Sequence, residues 1–107
     1  MEMKTSFSTY KDVYLQIGRY EADSSVAIEA WNNQEGPIAR LTVCLCDGSL
    51  AEDEAYVDTN NCPWAVEFIE KEGLGKRTGR TGRSGFCTYP VVKFDMDQLR
   101  EHGTEVA

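Results

Sequence analysis

Two alternating runs joined by a short turn constrain this chain more than any other feature. In Ser25 to Asn32 (SVAIEAWN), Val26, Ile28 and Ala30 share one face, and Ala27, Glu29 and Trp31 share the other. In Ile38 to Cys46 (IARLTVCLC), Ala39, Leu41, Val43 and Leu45 point to a core while Arg40 and Thr42 point outward. Between them, Asn32 to Pro37 ends in Gly36-Pro37 and is too short for the crossover that parallel strands need. The two strands must therefore run antiparallel. Tyr14 to Arg19 (YLQIGR) alternates more weakly and completes a meander through the polar turn Glu21-Ala-Asp-Ser.

Glu54 to Thr59 reads as a short fourth strand. Beyond it, Pro63 suits a first helical position, where its missing N–H would be unpaired anyway. Trp64, Ala65, Phe68 and Ile69 form an apolar stripe, Glu67, Glu70, Lys71 and Glu72 a wet face, and Gly73 a stop with Leu74 folding back. The spacing thus predicts a helix over 63–72, with Phe68 and Ile69 against Leu41, Val43 and Leu45. Gly75 to Gly85 reads as an irregular loop, too glycine-rich for a helix and too polar for a core strand. Phe86 to Phe94 is a fifth strand that Pro90 makes an edge or forces to bulge. Asp95 caps a last short helix, Met96 to His102, ended by Gly103. The expected fold is α+β: a mainly antiparallel sheet of about five strands, one helix packed on a face, and a short C-terminal helix. Residues 1–107 form a single domain, with 1–12 and 103–107 frayed.

Charge narrows the function classes. Residues 1–60 hold four bases against eleven acids and residues 61–107 seven of each, so the net −7 sits entirely in the first part. Such a domain repels phosphate, and direct nucleic-acid binding is not expected. No apolar run approaches the ~20 residues of a membrane span. Met1 to Ser6 has no apolar stretch of the secretory kind, so a cytoplasmic protein without membrane contact is expected. In that reducing setting Cys44, Cys46, Cys62 and Cys87 read as buried free thiols, and their spacing lacks the paired C-x-x-C knuckles of a zinc site. The single histidine, His102, has no evident nucleophile to serve. No enzyme, metal or cofactor is expected.

Two segments are candidate sites. In Thr78-Gly79-Arg80-Thr81-Gly82-Arg83-Ser84-Gly85, glycine N–H groups, hydroxyls and guanidinium forks could converge on an anion or a partner. The plainer reading is an irregular loop whose arginines pair with the chain's own acidic N-terminal half. Glu52, Asp53, Glu54 and Asp58 form either an acidic partner surface or a solvated face. Asp58 to Pro63 lies at a strand-to-helix junction, where the polar side chains read as caps and Asx-turns.

Ala39 to Leu45, Ala55 to Pro63, Leu74-Gly75, Thr78 to Gly82, Ser84 to Phe86 and Thr88 to Pro90 together resemble an uncharacterised domain-of-unknown-function family of small bacterial proteins. Its members are carried on plasmids, conjugative elements and phages of gut bacteria. The resemblance covers about Tyr14 to Leu99 and implies that 58–63 and 78–90 are signature segments. With the acidic charge, it implies a non-catalytic interaction protein of a mobile genetic element. Such a protein would inhibit a host defence of the restriction or CRISPR type by offering an acidic surface to a nucleic-acid-processing host factor. The alternative is a small anion- or nucleotide-binding module using the Gly/Arg loop 75–85.

Overall fold

A computed structural model describes residues 1–106. Ten strands and two helices follow one another: β1 (Met3–Lys4), β2 (Thr9–Tyr10), β3 (Tyr14–Arg19), β4 (Val26–Asn32), β5 (Gly36–Arg40), β6 (Thr42–Val43), β7 (Glu54–Val57), α1 (Ala65–Lys71), β8 (Gly75–Ser84), β9 (Cys87–Phe94), α2 (Met96–Glu101) and β10 (Gly103–Glu105). They form three sheets, ordered β1-β2, β10-β3-β4-β5 and β6-β7-β9-β8. Strands hold 46% of the residues and helices 12%. The protein is therefore sheet-rich with little helix, which corrects the expected single-sheet α+β fold.

The correction turns on Leu41. The expected strand Ile38–Cys46 is broken there, and its halves join different sheets. The Leu41 N–H donates to Ile28 O at 2.9 Å, and Leu41 O accepts from Asp58 N at 2.9 Å, so one residue stitches two sheets together. Thr42 is buried, not outward: its Oγ1 accepts from Ile28 N at 3.1 Å and shares a hydrogen bond with the Tyr20 hydroxyl at 3.0 Å. A hydroxyl so satisfied can replace an apolar side chain inside.

The meander β3-β4-β5 is antiparallel, with Ile17 opposite Ile28 and Ala30 opposite Ala39. Its inward residues Leu15, Ile17, Val26, Ile28 and Ala30 meet Ala55, Val57, Val92 and Phe94 from the third sheet, with Phe68, Ile69 and Leu99 from the helices. Leu41 belongs to this core. Val43 and Leu45 do not; they pack on a second cluster described below.

Helix α1 is shorter than expected, beginning after a half-buried Trp64; Ala65, Phe68 and Ile69 of the expected stripe are buried, and so is Val66. Gly73 at φ 72° turns the chain, and Leu74 N donates back to Ile69 O at 2.9 Å. Asp95 caps α2, accepting from Asp97 N and Gln98 N. The segment read as a Gly/Arg loop is strand β8, hydrogen-bonded to β9 along its length except for a bulge between Arg77 and Thr81. Pro90 lies opposite Thr81, at the end of that bulge, and β9 is central in its sheet rather than an edge. Segments expected to fray are paired: Met3 with Tyr10, and Gly103, Thr104 and Glu105 in parallel with Leu15, Gln16 and Ile17. Residue 107 lies outside the described residues. Among those described, no helix is long and apolar enough to cross a membrane.

Candidate functional site

The face of the third sheet turned away from the main core carries a smaller cluster. Along β7, Ala55 and Val57 face the main core, so Tyr56 faces the opposite way, as the period of two requires. Tyr56 lies opposite Val91 in the ladder, and with Tyr89 they bury one another. Val43, Leu45, Leu50 and Cys87 pack against them from the side. Leu45 and Leu50 belong to the segment from Cys44 to Asp53, which covers this face.

Polar groups ring the cluster. The Tyr56 hydroxyl donates to the Asp47 carboxylate and shares a hydrogen bond with Ser49 Oγ at 3.1 Å. Asp47 also accepts from Ser49 N at 3.0 Å and Ser49 Oγ at 2.8 Å. The Tyr56 hydrogen bond, with Ser49, holds the Asp47 carboxyl below its ordinary value. Burial, and then Asp47 itself, push the Tyr56 phenol up. Gly82 lies flat on the Tyr56 ring: a Cβ there would stand 2.5 Å from Tyr56 Cε1. Only glycine allows β8 that approach.

The two sequence-predicted segments meet at one point, where Arg80 pairs with Glu54. Glu54 is buried, accepts from Ala51 N at 2.9 Å, and has its carboxyl held low first by the Arg80 hydrogen bond. Asp53 stands 3.6 Å from Lys93, and the Glu52 carbonyl accepts from Arg19. Arg77 forks onto Glu70 of α1 at 2.8 Å and 3.2 Å. The plainer reading thus describes Arg80 correctly. Asp58, just past β7, accepts from Asn61 N and Nδ2 in a local turn; it does not cap α1, whose N-cap is Trp64 without a side-chain hydrogen bond, so of the two roles read for that junction only the turn is present.

The remaining Gly/Arg residues are strung along a ladder. Thr78 Oγ1 donates to Val91 O at 3.0 Å and accepts from Arg80 N at 3.1 Å, while Gly79 takes φ 87° in the bulge. Thr81, Gly82, Arg83 and Ser84 lie opposite Pro90, Tyr89, Thr88 and Cys87. Strand N–H groups point alternately to either side, so these do not converge on one point. Gly85, at φ 60°, makes the turn, and Phe86 beside it is fully exposed. Among the described residues, Lys76 and Arg83 form no ion pair. Lys76 lies opposite Lys93, and both line an open groove of about 650 Å³ with Glu70, Arg77, Phe94 and Asp95.

Sequence reasoning missed Asp47, Tyr56 and the placement of the thiols. Only Cys62 is buried; Cys44 and Cys87 are half-buried and Cys46 is exposed, which corrects the expectation of four buried thiols. Cys44 Sγ and Cys46 Sγ are 3.0 Å apart. The usable signal was the C-x-C spacing followed directly by Asp47. No group of three or more His, Cys, Asp or Glu side chains suited to a metal occurs among the described residues. His102 sits at the C-terminal cap of α2.

In a comparison with known families, the model for a domain of unknown function, DUF4313, fits residues 14–106. No curated protein and no solved structure matches.

Proposed function

The chain belongs to the DUF4313 family, and from that premise we propose a non-catalytic protein-binding module whose contact is the β8–β9 hairpin. The observation that carries this is Phe86, fully exposed at the turn of the hairpin, three residues from Arg83, which forms no ion pair among the described residues. An exposed aromatic side chain near a free guanidinium is what interface anchors are made of. Strand β8 is also the edge of its sheet, with an outer side that no strand among the described residues occupies, although Glu70 of α1 accepts from Arg77 N near its start. A partner segment with acidic and apolar residues would add beside β8, taking Lys76 and Arg83 as counter-charges and Phe86 as the anchor. The acids at 52–54 fit a partner surface less well, because Glu54 and Asp53 already pair with Arg80 and Lys93.

This reading keeps the finer role, an inhibitor of host defence carried by a mobile element and acting on a nucleic-acid-processing protein in the cytoplasm. It is supported by the net charge of −7, which disfavours direct contact with nucleic acid. The anion-binding reading has less support, because Lys93 already pairs with Asp53 and the groove it shares with Lys76 is also lined by Glu70 and Asp95.

Site-specific photo-crosslinking in the native host tests the proposal, with the probe at position 86, 52 or 35. A discrete protein adduct is expected at 86 alone, and it should disappear when Arg83→Glu is added. Adducts confined to 52 or 35 would overturn it. Phosphate titration followed by NMR, with shifts limited to Lys76 and Lys93, would favour the anion site instead.

A further inference from the structure

The Cys44–Cys46 pair is unused by that hairpin contact, and its geometry is unusual for two residues so spaced. In an extended strand, residues i and i+2 share a face but stand about 6.6 Å apart along the chain. Here the sulfurs are 3.0 Å apart. Cys46 takes φ 58°, in the left-handed region that few non-glycine residues enter, and this turn swings its side chain back toward Cys44. Strand β6 ends at Val43, so no ladder opposes the turn. Leu45, between the two, packs into the Tyr56 cluster, to which neither thiol belongs. The arrangement is accessible, since Cys46 is exposed and Cys44 half-buried.

We propose that Cys44 and Cys46 form a reversible intramolecular disulfide in exchange with low-molecular-weight disulfides. The thiolate of exposed Cys46 attacks one sulfur of the small disulfide. That S–S bond breaks, and a small thiolate leaves with the electron pair and takes up a proton. The mixed disulfide on Cys46 then faces Cys44 at contact distance. Cys44 loses its proton, attacks Cys46 Sγ and expels the second small thiol. Two protein thiols are oxidised, and one small disulfide is reduced to two thiols. The order follows from the surroundings: Cys44 is more buried and lies against Asp23 and the Cys46 sulfur, which together push its thiol up to about 12. Cys44 is thus the poorer first nucleophile and the sulfur held ready to close the ring. Closure fixes the left-handed turn at Cys46 and tethers the start of the segment that covers Tyr56, Tyr89 and Val91.

The test uses the full chain, reduced, freed of reductant and incubated with oxidised glutathione. Intact mass should show the loss of two hydrogens, native thiol counting should fall by two, and dithiothreitol should reverse both. Cys44→Ser should instead hold a stable glutathione adduct on Cys46, and Cys46→Ser should lose most of the reaction. Cys46 is exposed, so its replacement leaves the fold intact, and circular dichroism checks this. A wild-type protein that retains the glutathione adduct would overturn the proposal. So would one that stays fully reduced, or an internal disulfide that survives Cys46→Ser.

Discussion

The two faces of the third sheet are built by opposite means. The inner face is aliphatic: Ala55, Val57, Val92 and Phe94 meet the meander and both helices in a continuous core. The outer face has three buried hydrophobic residues, two of them tyrosines, beside the buried Glu54, and is covered by an irregular segment rather than by a second layer. Apolar burial holds the first. The second adds a ring of hydrogen bonds and ion pairs from Asp47, Ser49, Glu54 and Arg80. The inner face therefore sets the fold, and the outer face gathers carboxyl and phenol groups moved from their ordinary pKa values.

The largest effect expected is on the inner face. Phe68→Ala removes a buried ring from α1 and should destabilise by about 3–5 kcal/mol in urea unfolding. A loss below about 1 kcal/mol would show that the inner face does not dominate. Next is the contact between β8 and the outer cluster. Gly82→Ala pushes a methyl group into the Tyr56 ring and should cost about 1–3 kcal/mol. In a double-mutant cycle with Tyr56→Ala the two losses should fall short of additive; strict additivity would mean that the glycine serves only the backbone.

Smaller still is Tyr56→Phe, which keeps the ring and loses the hydroxyl's bonds to Asp47 and Ser49. About 1 kcal/mol is expected. NMR titration should show the Asp47 carboxyl moving up toward its ordinary value, because the main cause of its depression is gone. The smallest effect is best read through pH. Glu54 titrates below its unfolded value, so its pair with Arg80 stabilises the fold fully above the ordinary glutamate value. That stability is lost as pH falls through the depressed value. The stability difference between wild type and Arg80→Met should therefore be present at neutral pH and vanish in acid. A difference that persists unchanged in acid would show that Arg80 acts by packing.

The same contrast decides what was legible beforehand. Strands β3 and β4, the stripe of α1 with its Gly73 stop, and the Asp95 cap were all readable, because each shows its burial within one turn or one pleat. Leu41 was not. A polar Thr42 continued the alternation on paper, and only the Tyr20 hydroxyl and the Ile28 N–H, distant in sequence, explain its burial. Strand β8 was hidden for a different reason: an exposed edge strand needs no apolar alternation, and Gly82 is selected by a ring that lies on another strand. The Arg80–Glu54 pair was legible only as a charge balance, since its partners come from different strands. The thiol pair was visible as a spacing, but its closeness depends on a φ angle that the sequence does not announce.

Strand β10 has a consequence for the order of events during synthesis. It closes the outer side of β3, with Val106 N donating to Ile17 O at 2.8 Å just beyond the paired residues. Until residues 103–106 leave the ribosome, β3 keeps one row of backbone donors and acceptors open while the meander beside it is already able to form. An open row of that kind is a template for another chain. The nascent protein therefore passes through an interval in which the β3 edge of its meander is sticky, and this vulnerability ends only when β10 docks.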